Sequence, residues 1–304
     1  EISACLVGSE MCIRDRAAAD EVSVVGAGGG NVTKDFGNVV SIAQKFGLRR
    51  EEVPCLVKCA KYWDNGSVER VSARLAEARP DYDKWAGYRN SVLVMFDSWA
   101  IPQGREVINY YVPLEYGFDK IIELCDEKIA ETLGEAGDDG ILGMSRGYYY
   151  MACKTIAQGV SKWIENYARR AEYLAEHETD AQQKKEYLDI AAVAHHIAHK
   201  QPETFRQALN LTLMCHYGVT NEDPHSGQSI GRLGQILYPW YEKDIADGTT
   251  NDEEVIELLE LYRIKITAIE CFASSGVTGG VLSGNTFNNL SIGGLGYDGL
   301  TAVT

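Results

Sequence analysis

The sequence predicts an α/β protein that is mostly helical over its 304 residues. Two short apolar runs, residues 91–95 and 107–112, are typical of buried strands. From Tyr116 onward, apolar residues recur every three or four positions over long stretches, which is typical of helices that pack on a core. A chain of this length fits about two domains or one large α/β domain.

The predicted elements follow one another with clear boundaries. Pro113 is predicted to end the second strand, and Pro202 to start a helix. After residue 276 the chain is rich in Gly and Asn, which predicts short strands and tight turns around a site. The predicted helices cover residues 35–46, 51–62, 116–129, 144–177, 181–200, 202–216 and 253–272.

Composition and charge restrict the class of protein. Apolar residues make up 45% and charged residues 24%, as in an ordinary globular chain. The net charge of −15 argues against binding to nucleic acid or to an anionic membrane surface. No stretch approaches the roughly 20 apolar residues of a membrane span. The eight cysteines form no disulfide framework, which predicts reduced thiols in a cytoplasm.

The first 16 residues do not have the pattern of a signal peptide. Residues 6–16 resemble the translation of a sequencing adapter, so we expect residues 1–16 to be disordered and to lie outside the fold. At the other end, no helix cap or stop signal precedes Thr304, which suggests that the chain is truncated.

Several residue patterns offer competing functional interpretations. Residues 26–30 resemble a dinucleotide-binding loop with Glu51 placed to hold a ribose, although a flexible loop is favoured. His195 and His199 share a helix face and suggest a metal site. No carboxylate at an obvious spacing completes that site, so a buried or capping histidine cluster is favoured.

Two arginines could serve either a binding site or the fold, and an aromatic cluster is assigned to the fold. Arg105 and Arg232 are suited to clamping a carboxylate, and a structural ion pair with an acidic neighbour is the favoured alternative. The aromatic residues 238–241 are expected to belong to the core. No phosphate-binding loop, nucleophile elbow or zinc-protease motif is present, so no catalytic residue is assigned by motif.

Several long segments, taken together and in order, resemble one family, the glycyl radical enzymes of the pyruvate formate-lyase type. Within it they most resemble the arylacetate decarboxylases, above all those that act on 4-hydroxyphenylacetate, and the resemblance covers residues 17–304. The segments are GGGNVT (28–33), FGNVV (36–40), IPQGREVINY (101–110), HKQPETFR (199–206), SIGR (229–232), QILYPWY (235–241), LSGNTFN (282–288) and IGG (292–294).

The resemblance implies a partial ten-stranded α/β barrel of the pyruvate formate-lyase type, wrapped in helices. In that family a glycine radical and a cysteine thiyl meet inside the barrel. Residues 17–304 match the parts that precede both catalytic loops, so the chain by itself is expected to be inactive. No cysteine in a Gly-Cys-x-Glu context is present, and therefore no catalytic residue is assigned.

The resemblance also implies a set of residues that line the substrate pocket. Ser226 matches a serine near the substrate carboxylate, with a turn or helix cap as its alternative role. A flat aryl acid requires aromatic and branched walls with few polar anchors, because such a cavity excludes water from a radical intermediate. The matching wall residues are Phe96, Ile101 and Arg105 on one side and Val281, Leu282 and Phe287 on the other.

The implied reaction is the decarboxylation of 4-hydroxyphenylacetate to p-cresol and CO2 in the cytoplasm of an anaerobic bacterium. The chain itself is expected to bind no soluble cofactor. The implied partners are an S-adenosylmethionine iron–sulfur activating enzyme, a small iron–sulfur subunit and further copies in a homodimer or hetero-oligomer. Indoleacetate or phenylacetate decarboxylase and a glycyl radical dehydratase remain alternatives. Outside this class, the alternatives are a nicotinamide-dependent oxidoreductase and a helical metal-binding or scaffold module.

Overall fold

The computed structural model describes residues 54, 74, 77–81, 107–134, 140–222, 229–267 and 289–295. Most of these residues belong to helices that surround one apolar core. The bounds of the helices are α1 Tyr111–Gly134, α2 Gly140–His177, α3 Ala181–Ile197, α4 Phe205–Glu222, α5 Leu233–Asp247 and α6 Asp252–Thr267. Outside the described residues lie the adapter-like residues 1–16, the predicted helix over 35–46 and the predicted strand over 91–95.

The second predicted strand is wrong in its second half, where α1 begins instead. Val107 forms an isolated parallel bridge, but Tyr111 and Val112 are helical. The side chain of Asn109 accepts a hydrogen bond from the Tyr111 backbone N–H at 3.2 Å. Pro113 therefore lies in the first turn of a helix, where its missing N–H costs no hydrogen bond. The prediction that this proline ends a strand failed because a breaker alone does not distinguish the two cases.

Helices α2 and α3 form an antiparallel hairpin with a narrow seam. Six buried positions of α2 recur at alternating spacings of four and three residues, and four of these six carry alanine. Tyr187 and Ala191 of α3 pack against this seam. Small side chains allow two helix backbones to approach closely, and the alternation keeps the seam facing the partner helix. The seam residues of α2 are Ala157, Ser161, Ile164, Ala168, Ala171 and Ala175.

Helix α4 is the central element of the core. Leu211, Thr212 and His216 are each 0% exposed, and the helix contacts α1, α2, α3, α5 and α6. Its first turn is capped twice: the Thr204 hydroxyl accepts from the Gln207 N–H, and Asp244 of α5 accepts from the Phe205 N–H at 2.7 Å. The helix therefore begins at Phe205, three residues after the predicted start at Pro202.

A break in α1 receives the end of α3. Gly117 has φ 70° and ψ 164° and interrupts the helical backbone. A Cβ atom at this position would lie 2.5 Å from both the Gln201 nitrogen and the Lys200 carbonyl carbon. After the break, the Asp119 N–H donates to the His199 carbonyl at 3.0 Å. Only glycine permits this left-handed backbone together with such a close approach.

The predicted helices over 116–129, 144–177, 181–200 and 253–272 are confirmed with shifted ends, whereas α5, Leu233–Asp247, was not predicted from the sequence. The predicted helix over 116–129 lies within α1, where Phe118 and Cys125 are buried and Ile121 and Ile122 pack against the core. Helix α2 begins at Gly140, four residues before the predicted start, and α3 ends at Ile197. No helix among the described residues is long and apolar enough to span a membrane.

Candidate functional site

Every residue assigned to the substrate pocket lies outside the described residues. These residues are Phe96, Ile101, Arg105, Ser226, Val281, Leu282 and Phe287. The segments that directly follow them are described, however. Val107 is two residues after Arg105, Ser229 is three after Ser226, and Asn289 is two after Phe287. The arrangement of these three segments is the geometric information that the structure gives about the site.

The three segments lie side by side and form what we call the bridge ladder, residues 107–110, 229–231 and 289–291. Val107 pairs in parallel with Ser229, and Gly231 pairs in parallel with Leu290. The Ile230 N–H donates to the Asn289 carbonyl at 2.8 Å, and the Ser291 N–H donates to the Gly231 carbonyl at 2.9 Å. Because the pairing is parallel, the three segments enter the ladder from the same end. Parallel pairing is also what an α/β barrel requires.

A cleft of about 560 Å³ opens beside the bridge ladder. It lies between the ladder and the first turn of α5, and its described walls are partly apolar. This volume is in the range of small-molecule sites. Gly231, with φ 74°, allows the ladder to form, because a Cβ atom there would lie 3.1 Å from Val107 Cγ1. The described lining residues that carry polar side chains are Asn109, Tyr111, Arg232, Gln235 and Ser291.

Arg232 fixes the glycine-rich segment next to this cleft. Its Nη1 donates to the Leu295 carbonyl at 2.8 Å, and its guanidinium lies over Gly294. Gln235 donates to the Gly293 carbonyl at 3.4 Å. Among the described residues, the contact shown for the Arg232 guanidinium is thus a hydrogen bond to a backbone carbonyl, and no ion pair with a described carboxylate accompanies it. Spacing along the sequence shows acidic neighbours, but it does not show that a carbonyl 63 residues away is closer.

His195 in the last turn of α3 and His199, two residues after its end, meet carboxylates from two other helices. Glu165 Oε1 lies 3.0 Å from His195 Nδ1 and 3.1 Å from His199 Nε2. The outer nitrogens face Glu172 at 3.0 Å and Asp119 at 2.9 Å. We call these five residues the histidine–carboxylate joint. The side chains of both histidines are partly exposed, at 38% and 42%, so the cluster is not buried. The neighbouring His196 contacts the Gln201 carbonyl at 2.8 Å just beyond the helix end, which agrees with a capping role.

The carboxylates of the joint could not be found from spacing, because they come from α1 and α2. Their separation from the histidines in the sequence ranges from 23 to 80 residues. Among the described residues, no group of His, Cys, Asp and Glu side chains is arranged to hold a metal ion. The metal-binding alternative therefore has no support in this part of the chain.

The described cysteines all lie on helices. Cys125 is buried, and burial raises the pKa of its thiol. Burial raises the pKa of Cys215 to about 12. These thiols pack as small apolar groups, and none belongs to the bridge ladder. Of the aromatic cluster, Trp240 and Tyr241 pack against the core as expected. The glycine-rich loop at residues 26–30 lies outside the described residues.

Comparisons with known proteins agree with this arrangement. A family model described as pyruvate formate lyase-like matches residues 28–304. The chain is 66% identical over 286 residues to the 4-hydroxyphenylacetate decarboxylase glycyl radical subunit of Clostridium scatologenes, and the match covers 94% of this chain and 32% of that protein. It is 30% identical over 258 residues to indoleacetate decarboxylase of Tractidigestivibacter scatoligenes, with coverage of 84% and 28%. The chain thus spans about a third of the length of these curated relatives.

A solved structure supports the same assignment at the level of the fold. The crystal structure of a glycyl radical enzyme from Archaeoglobus fulgidus superposes with a TM-score of 0.67 at 26% identity, covering 84% of this chain and 32% of that one. The predicted fold class is confirmed, and the dinucleotide-binding alternative has no support. Sequence, bridge ladder and structural likeness together show that the chain belongs to the pyruvate formate lyase-like family of glycyl radical enzymes.

Proposed function

We propose that this chain is the N-terminal and middle part of an arylacetate decarboxylase that acts on 4-hydroxyphenylacetate. The observation that carries the proposal is the 66% identity to a subunit of that name, against 30% to a relative that acts on indoleacetate. The reaction breaks the bond between the methylene and carboxylate carbons. CO2 leaves, and the methylene carbon takes up a hydrogen to give p-cresol.

The proposed pocket consists of Ser226 with the walls Phe96, Ile101, Arg105, Val281, Leu282 and Phe287. The bridge ladder supports it, because it aligns the segments that follow Ser226 and each of the two walls. Consecutive Cα atoms are about 3.8 Å apart, so Arg105 and Phe287 can lie no more than about 8 Å from Val107 and Asn289. By the same limit, Ser226 lies within about 11 Å of Ser229.

The Ser226 hydroxyl and the apolar wall residues have different physical roles in the proposed reaction. The Ser226 hydroxyl donates a hydrogen bond to one carboxylate oxygen without holding its charge as firmly as a cation would, which matters because this charge is lost in the transition state. Apolar walls surround the ring and exclude water. A glycyl radical and a thiyl, carried on other segments of the complete protein, would supply the one-electron oxidation that starts the reaction.

The proposal includes partners that the family implies. A radical glycine requires an activating enzyme, which we expect to be an S-adenosylmethionine iron–sulfur protein. We further propose a small iron–sulfur subunit, an oligomeric complex and a cytoplasmic location in an anaerobe. The adapter-like residues 1–16 are proposed to lie outside the functional protein.

The test uses the complete subunit, activated anaerobically by its activating enzyme. We expect p-cresol and CO2 in equal amounts from 4-hydroxyphenylacetate, at a higher kcat/KM than for phenylacetate or indoleacetate. The substitution Ser226→Ala should lower kcat/KM by about tenfold or more, since it removes a hydrogen bond to a charged group worth about 1.5–3 kcal/mol. The matched control is Ser229→Ala, which leaves the backbone pairing intact and should change kcat/KM by less than about twofold.

Two results would contradict the proposal. A preference for indoleacetate would assign the chain to the other decarboxylase branch. Equal kcat/KM values for the Ser226→Ala and Ser229→Ala variants would remove Ser226 from the pocket while leaving the assignment of the reaction intact.

A further inference from the structure

The histidine–carboxylate joint has a hydrogen-bonding pattern that fixes its protonation. Both ring nitrogens of His195 face carboxylate oxygens, at 3.0 Å each. Both ring nitrogens of His199 do the same, at 2.9 and 3.1 Å. An ionised carboxylate only accepts hydrogen bonds, whereas a neutral imidazole has one donor and one acceptor nitrogen. Each ring therefore satisfies both contacts only when both of its nitrogens carry a proton.

We propose that His195 and His199 are held as imidazolium ions and act as a pH-sensitive lock between α1, α2 and α3. The lock is closed while both rings are doubly protonated. It opens when either ring loses a proton, because one nitrogen then faces a carboxylate with no hydrogen between them. Two negative oxygens would remain around a neutral ring, and the ring would rotate away or the helices would separate.

The charges that face the rings come from two helices. Asp119 lies on α1, and Glu165 and Glu172 lie on α2. The described cation beside them is Arg169, whose Nε is 3.9 Å from Glu165 Oε2. Three carboxylates thus face two histidines and one weakly engaged arginine, a balance that favours two additional positive charges.

The expected pKa directions agree with the geometry. The hydrogen bond to Glu165 raises the pKa of His195 above its ordinary value, despite partial burial. The hydrogen bond to Asp119 does the same for the pKa of His199. Partial burial would raise the pKa of Glu165, but the hydrogen bonds and charges of the two histidines outweigh it and lower that pKa.

The lock lies where the residues that follow α3 pack against the break in α1. His199 receives the Asp119 N–H through its carbonyl, and its ring contacts the Asp119 side chain. This double contact lies directly after the break at Gly117, where the end of α3 packs against α1. Helix α1 begins at the end of the bridge ladder, next to Tyr110. Opening the lock would therefore weaken the packing of α1, the helix that begins at the end of the bridge ladder.

The pH range of the lock follows from the two pKa directions. A raised histidine pKa contributes stability that is complete below the ordinary value of 6.5 and is lost as the pH rises through the raised value. A lowered Glu165 pKa contributes stability that is present above 4.5 and is lost as the pH falls through the lowered value. The lock is thus closed in mildly acidic solution and opens on the alkaline side.

The test measures protonation and stability separately on the full chain. With 15N-labelled histidine, NMR at about pH 6 should show both nitrogens of His195 and His199 protonated, and both rings should titrate above 6.5. The urea concentration at which half of the wild-type chain is unfolded should decrease as the pH is raised from about 6 to about 9. The double variant His195→Gln/His199→Gln, which cannot titrate there, should lose most of this pH dependence.

The control is His177→Gln, since the His177 ring contacts the Tyr173 carbonyl at 2.7 Å and forms no carboxylate pair among the described residues. This variant should keep the pH dependence of the wild-type chain. A ring that is neutral at about pH 6, or one that titrates at or below 6.5, would overturn the proposal even if the double variant fails to fold. If added zinc restored the stability that the chain loses at alkaline pH, the proposal would also be overturned, because the site would then bind a metal ion instead of protons.

Discussion

Histidine occupies two contrasting environments in the described part of this chain. His216 on α4 is 0% exposed, and its Nδ1 lies 2.9 Å from the hydroxyl of the equally buried Tyr110. His195 in α3 and His199 just after it are partly exposed and face three carboxylates. Burial raises the pKa of Tyr110, so the partner of His216 is a neutral hydroxyl. The difference shows that the partner, more than the residue type, decides whether a histidine joins helices by charge or by a neutral hydrogen bond.

The two environments also differ in what they lose when they are disturbed. Between the buried Tyr110 and His216, water cannot replace a lost hydrogen-bond partner, so removing one partner lowers the free energy of unfolding by the full desolvation cost of the other. At the joint, solvent reaches the rings and screens the charges, so each contact stabilises the fold less but responds to pH. Substitutions in buried and exposed contacts test this contrast, starting with the largest expected effect.

The Gly117→Ala substitution should have the largest effect, because it attacks the backbone packing on which the joint depends. A methyl group there meets backbone atoms of Lys200 and Gln201 at 2.5 Å, and the backbone has φ +70°. We expect a loss of about 2–4 kcal/mol in the free energy of unfolding, measured by urea denaturation.

The control for this substitution is Gly159→Ala in α2. Among the described residues, no neighbouring atom lies within 4 Å of the methyl group that would be added at Gly159. Alanine in a helix is favoured over glycine, so this change should stabilise the chain by about 0.5–1 kcal/mol. Equal effects of the two substitutions would show that α3 does not pack closely on the break in α1.

The Tyr110→Phe substitution should have the next largest effect. It removes the hydroxyl that lies 2.9 Å from His216 Nδ1 while keeping the ring that fills the core. A buried polar atom without this partner costs about 1–3 kcal/mol of stability. The control is Tyr148→Phe, at a residue that is 62% exposed, where the change should stay within about 0.5 kcal/mol. If both variants have the urea midpoint of the wild-type chain, the hydrogen bond between Tyr110 and His216 contributes no stability.

The Lys154→Met substitution should have the smallest effect. Lys154 of α2 contacts Asp126 of α1 at 2.6 Å across a largely exposed surface. Such a pair contributes about 0.2–1 kcal/mol, and salt should reduce this contribution. Denaturation in low and high salt measures it, with Lys184→Met at an exposed position as the control. A loss as large as that of Tyr110→Phe would contradict the ranking of buried over exposed contacts.

The prediction of the helices from sequence was accurate where periodicity was long. In α6, Val255, Tyr262 and Ile266 recur at spacings of seven and four residues, on one helix face, and are buried in the structure. The prediction that Pro113 ends a strand was wrong, because a proline is equally compatible with the end of a strand and with the first turn of a helix. Local pattern identifies the face of a helix, but the neighbouring chain decides whether a boundary residue caps a helix or ends a strand.

The sequence by itself determined the family, the mostly helical character and the faces of the helices, because these depend on the identity and periodic spacing of nearby residues. Only the tertiary structure decided that Glu165 lies between His195 and His199, that Arg232 binds a carbonyl, and that Val107, Ser229 and Leu290 belong to one ladder. These contacts join residues far apart in the chain. Their existence depends on how helices and segments pack, and no spacing along a single sequence records that.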